Sequence, residues 1–211
     1  MAVPLDASRA IHNAFRNDMA GMDNSADAAA HAHGGLDSIS KGYGFLNEVL
    51  AWHADGEEEF VFPRMEEIAP LISKPYEQDH RGLDSLFDWL DKAVGIRDSI
   101  EIARATAAFN FHLRIHLDKE EAHLYRLFDE RISLPEQGII IGKMAQKVPQ
   151  ERFPEVVAWL YPLIAADDRE NMTKIWQQAL PKPAFARATQ LIKIAVGDGW
   201  AEMVRRIPEL E

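Results

Sequence analysis

The chain reads as an all-α protein: an antiparallel up-down four-helix bundle over residues 1–132, with additional C-terminal helices over residues 133–211. Three observations predict this. Apolar residues recur by threes and fours along four long stretches, the period of a helix with one buried face. No segment alternates apolar and polar residues between hairpin-turn signals, as half-buried strands would. Histidines lie near the starts of the first and third stretches and toward the ends of the second and fourth. Those levels coincide when consecutive helices run in opposite directions.

The first helix is predicted over Pro4–Met22, with Asp6 or Ser8 able to cap it and Ala10, Ile11, Ala14, Phe15 and Met19 as its apolar stripe. His12 lies on or beside that stripe. Gly21–Gly35, rich in Asp, Asn, Ser, Ala and Gly, reads as a loop with at most a fragment of helix, and the His31–His33 pair within it as exposed. The second helix spans Leu36–Met65; Gly42, Gly44 and Gly56 weaken it, and Pro63 marks a kink or end. Glu66–Lys74 is a connection. The third helix is Tyr76–Val94, with His80, Leu83, Phe87 and Leu90 on one face. Asp98 or Ser99 opens the fourth, which runs to Ile132 on a stripe of Ile102, Ala105, Phe109, His112, His116, Glu120, His123 and Leu127. Shorter helices follow over Pro135–Gln146, Phe153–Ala165, Asp168–Leu180 and Pro183–Arg206, with Trp159, Trp176 and Trp200 as packing residues. This tail packs on the bundle or forms a dimer surface.

Composition narrows the function. The chain has 211 residues, a net charge of -11 and no cysteine. The acidic balance and the lack of a long basic run exclude a nucleic-acid binder by electrostatics. The missing thiols exclude disulfides, thiolate metal sites and iron–sulfur clusters. The N-terminal residues lack the basic and apolar regions of a secretion signal, and no apolar run is long enough to span a bilayer. The expectation is a cytoplasmic protein with no membrane contact.

One pattern carries chemistry. His53-x-x-x-Glu57-Glu58 recurs as His116-x-x-x-Glu120-Glu121, each copy running into apolar residues and each preceded by a helix with one histidine near its start, His12 and His80. Residues four apart share a helix face. Imidazoles and carboxylates on buried faces are expensive unless something binds them. The duplication suits two metal ions with Glu57 and Glu120 as bridges, and the donor types suit iron, zinc, manganese or nickel. His112, one turn before His116, is a possible fifth imidazole or lines the access path. Glu58 and Glu121 point about 100° away on an ideal helix.

These residues resemble the hemerythrin-like, or HHE cation-binding, family. The match runs from the His12 helix through His53-x-x-x-Glu57-Glu58, Phe60-Val61-Phe62-Pro63, Glu77-Gln78-Asp79-His80 and His116-x-x-x-Glu120-Glu121, covering about Ser8–Ile132. The resemblance implies a four-helix bundle holding a non-haem di-iron centre with an oxo or hydroxo bridge. His12, His53, His80 and His116 would be terminal ligands, and Glu57 and Glu120 the bridging carboxylates. The second copy departs from the family in having Tyr125-Arg126 where the first has Phe62-Pro63. The third helix lacks the second histidine of the oxygen carriers, with Asp84 one turn after His80, so Asp84 or His112 is the candidate substitute. The expected role is binding or sensing of O2, NO or peroxide. The alternatives are a catalase-like or oxidase-like enzyme at the same centre and an iron-storing or structural metal protein, and a homodimer is possible.

Overall fold

The structure is a computed structural model that describes residues 2–32 and 36–211. His33, read as exposed, lies outside them. The fold is all-α, and no strand occurs among the described residues. No helix among them is long and apolar enough to cross a membrane.

The first helix, α1, spans Leu5–Ala32 and is longer than the sequence reading allowed. Its buried stripe of Ala10, Ala14, Phe15 and Met19 continues through Met22, Ala26 and Ala29. Asn24, Ser25 and Asp27, which signal a loop, all stand on the exposed side, and the Ser25 hydroxyl donates to the Gly21 carbonyl at 2.8 Å. The predicted loop from Gly21 is therefore helix through Ala32, because burial of the small stripe outweighs the polar residues' preference for turns. His31 is exposed, as expected.

The second helix comes in three pieces: α2 (Leu36–Gly56), a π-helical turn (Glu57–Val61) and α3 (Phe62–Ile68). Pro63 sits in the first turn of α3, where its missing N–H is harmless, so the helix axis continues past it. Helix α4 is Lys74–Gly95. The fourth helix repeats the construction of the second: α5 (Ser99–Lys119), a π-helical turn (Glu120–Leu124) and α6 (Tyr125–Arg131). Asp98 caps α5 by accepting from the N–H groups of Ile100 and Glu101 at 3.0 and 3.1 Å.

Phe15–Arg131 forms one compact unit. Its contacts give the helix directions. Phe15 meets His53, and Gly42 lies beside Met22. Tyr43 stacks on Phe87 at 4.3 Å, while Glu58 meets His80. Trp89 donates to Glu101, and Asp79 meets Lys119. Asp23 accepts from Asn110, and Arg16 pairs with Asp118 and Glu121. In every pair the numbers rise on one helix as they fall on the other, so the four helices alternate up and down around a closed ring.

Met1–Ala14 and Ile132–Glu211 make up the second compact unit. The first fourteen residues thus group with the C-terminal helices, where the sequence alone groups them with the bundle. Asn13 donates to Asp168 at 2.9 Å within this unit. Its helices are α7 (Leu134–Ala145), α8 (Phe153–Leu163), α9 (Ala166–Ala179), α10 (Lys182–Val196) and α11 (Trp200–Arg206). The last two were expected as one helix; Gly197, with φ +52°, ends α10 and a short 3-10 turn reorients the chain. Trp176 packs against Phe153 and Tyr161, and Arg206 pairs with Asp167, Glu170 and Glu202.

Candidate metal centre

The two copies of the His-x-x-x-Glu-Glu motif end at the same level of the Phe15–Arg131 unit, and each glutamate of the pair opens a π-helical turn. A π turn holds one more residue than an α turn, so the buried stripe resumes one position late. After Glu57 the buried residues are Val61, Phe62 and Met65; after Glu120 they are Leu124, Tyr125 and Phe128. The offsets are identical in the two copies, so the duplication extends to the backbone.

Glu57, His80, His116 and Glu120 are all buried and bring one donor atom each within 4.8 Å of one another. Oε1 of Glu57 lies 3.5 Å from His53 Nε2, and its Oε2 lies 3.6 Å from His80 Nε2. Oε1 of Glu120 lies 3.3 Å from His116 Nε2. One carboxylate thus spans two imidazoles, one through each oxygen. The His80 and His116 rings meet edge to face at 4.8 Å.

Outer groups fix the far side of these rings. Glu58 accepts from His80 Nδ1 at 2.8 Å and from Arg81 at 2.6 Å, and Asp79 lies 3.5 Å from His116 Nδ1. On His80 the Glu58 carboxylate holds the proton at Nδ1 and leaves Nε2 to face a metal. Glu121 takes the matching place in the second copy by accepting from Arg16 at 2.8 Å. The second glutamate of each motif is therefore a clamp on a neighbouring helix. The Tyr125 hydroxyl donates to Glu57 Oε1 at 2.7 Å. The sequence reading noted Tyr125 as a departure from the family and Asp79 within the Glu77-Gln78-Asp79-His80 match, and gave neither a place beside the centre. Only the mismatch of Tyr125 with Phe62 between the copies signalled the first, and nothing in the spacing signalled the second.

Electrostatics follow from this packing. Burial drives the Glu120 carboxyl well above the usual carboxylate range, and the charge of Glu57 beside it adds to the shift. Burial opposes the charged form of His80, but contacts with Glu57 and Glu58 outweigh it and raise the imidazole. Glu58 is lowered because His80 and Arg81 overcome its partial burial. Two carboxylates of like charge, buried together and ringed by imidazole Nε2 atoms, are arranged for a cation: it supplies the positive charge that the low-dielectric interior otherwise lacks. All donors are nitrogen or oxygen, which fits a non-haem transition metal.

His12 is wholly buried three residues before Phe15 on α1. Three residues place the two on one helix face, and Phe15 lies 5.5 Å from the His53 ring. His112 is not brought to the centre. It is exposed beside Phe111 on the outer side of α5, about 40° further round an ideal helix than His116. Asp84 is likewise exposed, at the edge of a cavity of about 60 Å³. The cavity reaches His53, His80 and His116 between walls that include Leu50, Leu83 and Phe109.

No family model and no solved structure matches the chain. Among curated proteins it is similar to zinc finger protein BRUTUS of Arabidopsis thaliana, 24% identical over 177 residues. Two BRUTUS-like zinc finger proteins of the same plant are 25% identical over 179 residues and 22% identical over 201. The alignments cover 81%, 77% and 86% of this chain but 14%, 14% and 16% of those proteins, so the chain spans about a seventh of the relatives it matches. The zinc-finger part of their name does not carry over through thiolates, since this chain has no cysteine.

Proposed function

We propose that the chain is a hemerythrin-like non-haem iron protein. His12 and His53 on one side and His80 and His116 on the other hold two ions, Glu57 and Glu120 bridge them, and the centre binds or senses a small ligand such as O2, NO or peroxide. The observation that carries this reading is Glu57, whose two oxygens face His53 and His80 separately at 3.5 and 3.6 Å. When bound, the iron pair supplies the redox-active coordination position that such a ligand requires. The chain's own part is to fix the His80 imidazole through Glu58, to keep the carboxylates dry, and to leave a cavity along the histidines.

The cavity supports binding of a small ligand. At about 60 Å³ the cavity exceeds the roughly 10–15 Å³ that one water occupies on such a measure, so a diatomic ligand or peroxide fits. Besides the three histidines, the titratable residue of its lining is the exposed Asp84 at the rim.

Metal analysis of the purified protein with an absorption spectrum in air tests the proposal. Two iron ions per chain with an oxo-to-iron band in the near ultraviolet are expected. Glu57→Ala and Glu120→Ala should each lose metal while keeping helix content. A colourless protein after anaerobic iron loading and air exposure, or two ions retained in both variants, overturns it. Steady hydrogen-peroxide turnover that His53→Ala abolishes would make the protein an enzyme instead.

A further inference from the structure

One buried polar contact at the centre has no part in holding a metal. Tyr125 is 1% exposed, and its hydroxyl donates to Oε1 of Glu57 at 2.7 Å. That oxygen is the one facing His53; the other faces His80. At the same offset in the first copy stands Phe62, which has no hydroxyl and lays its ring on His80 at 5.5 Å. The two halves match in motif spacing, in their π turns and in the buried positions beyond them. At this position alone among those buried contacts, one half presents a phenol and the other a phenyl.

We propose that Tyr125 is a positioning residue that pins Glu57 in its spanning orientation and makes the two metal positions inequivalent. The inference rests on the two-ion reading above. A carboxylate can bind one ion through both oxygens or bridge two ions through one each. A hydrogen bond to Oε1 opposes rotation of the group toward the His80 side, because rotation would break a buried, charge-assisted bond. The same bond draws electron density from Oε1 and not from Oε2, so the ion on the His53 side meets a weaker oxygen than its neighbour. The place of Tyr125 is taken in the first copy by Phe62, which has no hydroxyl; the phenol on the Glu120 side is Tyr76 of α4, whose hydroxyl donates to the Lys119 carbonyl at 3.4 Å. The position therefore sets an electronic difference between two otherwise similar ligand sets.

The test is Tyr125→Phe, which keeps the ring volume and copies the residue already present in the first half. Cobalt(II) titration and Mössbauer spectra of the iron-loaded protein are compared with wild type, with circular dichroism as the check on folding. Two ions per chain should still bind, with the first step unchanged and the second weakened about tenfold, the loss expected for one hydrogen bond to a charged group. Wild type should give two resolved iron signals, and the variant should move one of them while leaving the other in place. A general loosening of the core would move both. Identical second-step affinity and identical spectra overturn the role of Tyr125 and leave the two-ion reading standing. A wild type that binds fewer than two ions overturns both.

Discussion

Glu57 and Glu120 are 0% exposed and face each other across the middle of the bundle. Without a cation they oppose folding, because burial beside Glu57 disfavours the charged form of Glu120 and raises its carboxyl well above the usual range. Glu120→Gln should therefore stabilise the metal-free protein by about 1–3 kcal/mol in urea unfolding while weakening metal binding. A metal-free variant less stable than wild type would count against this account. Tyr161, by contrast, is a purely structural buried polar group. Its hydroxyl pairs with Thr173 at 3.0 Å, and burial pushes the phenol well above its usual value. The folded value exceeds the unfolded one, so this contribution is fully present below about pH 10 and is lost as pH rises toward the folded value. Thermal melts from pH 8 to 11 should show wild type losing stability faster than Tyr161→Phe. His53, Glu57, His80, His116 and Glu120 were legible in the sequence because four-residue spacing and matched depth bear directly on what a bundle interior contains. Tyr125 was not, because its reach to Glu57 depends on the register beyond the π turn. His112 stands exposed because a ladder of fours drifts about 40° per step and leaves the buried stripe.

The elements that matter most are the paired π turns. Each retains a wide turn at the glutamate and sets the register of everything after it. Inserting one alanine after the exposed Glu59 adds a second extra residue to a turn that already absorbs one, and should rotate Phe62 and Met65 about 100° away from the core. Displacing two such side chains costs several kcal/mol, which for a chain of this size means a fall of roughly 10 °C or more in Tm, with helix content nearly unchanged. An unchanged Tm would show that the turn is incidental. No residue type announces a π turn, so sequence periodicity carried the second and fourth helices straight through it. The same reasoning failed in the other direction on α1, where a cluster of turn-forming residues hid a continuous stripe of Met22, Ala26 and Ala29.

At the scale of the whole chain, all candidate ligands but one lie in the Phe15–Arg131 unit; His12 belongs to the unit that includes the C-terminal helices. Metal at a hundredfold excess over its Kd stabilises the folded form by about 2.7 kcal/mol, so calorimetry with and without chelator should show an upward shift of roughly 5–10 °C on loading. His12→Ala should bind one ion fewer and recover only part of that shift; a full shift with two ions would remove His12 from the ligand set. The all-α class and the four alternating helices were legible because long amphipathic periodicity is a strong signal. The grouping of the first fourteen residues with the tail was not, since it rests on contacts such as Asn13 with Asp168, far apart in sequence.

The two π turns also record an order of events. An extra residue inserted into a helix is a rare change, and here it stands directly after the same glutamate in both halves, followed by buried residues at the same offsets. One insertion into an ancestral helical hairpin, copied when that hairpin was doubled, accounts for both. Two separate insertions would have had to strike the same place twice. The hairpin then already carried its widened turn before it was doubled. On that history the exchange of a phenyl for a phenol at one of the two equivalent places came later. Fusion made it possible, because only then could one half change without the other.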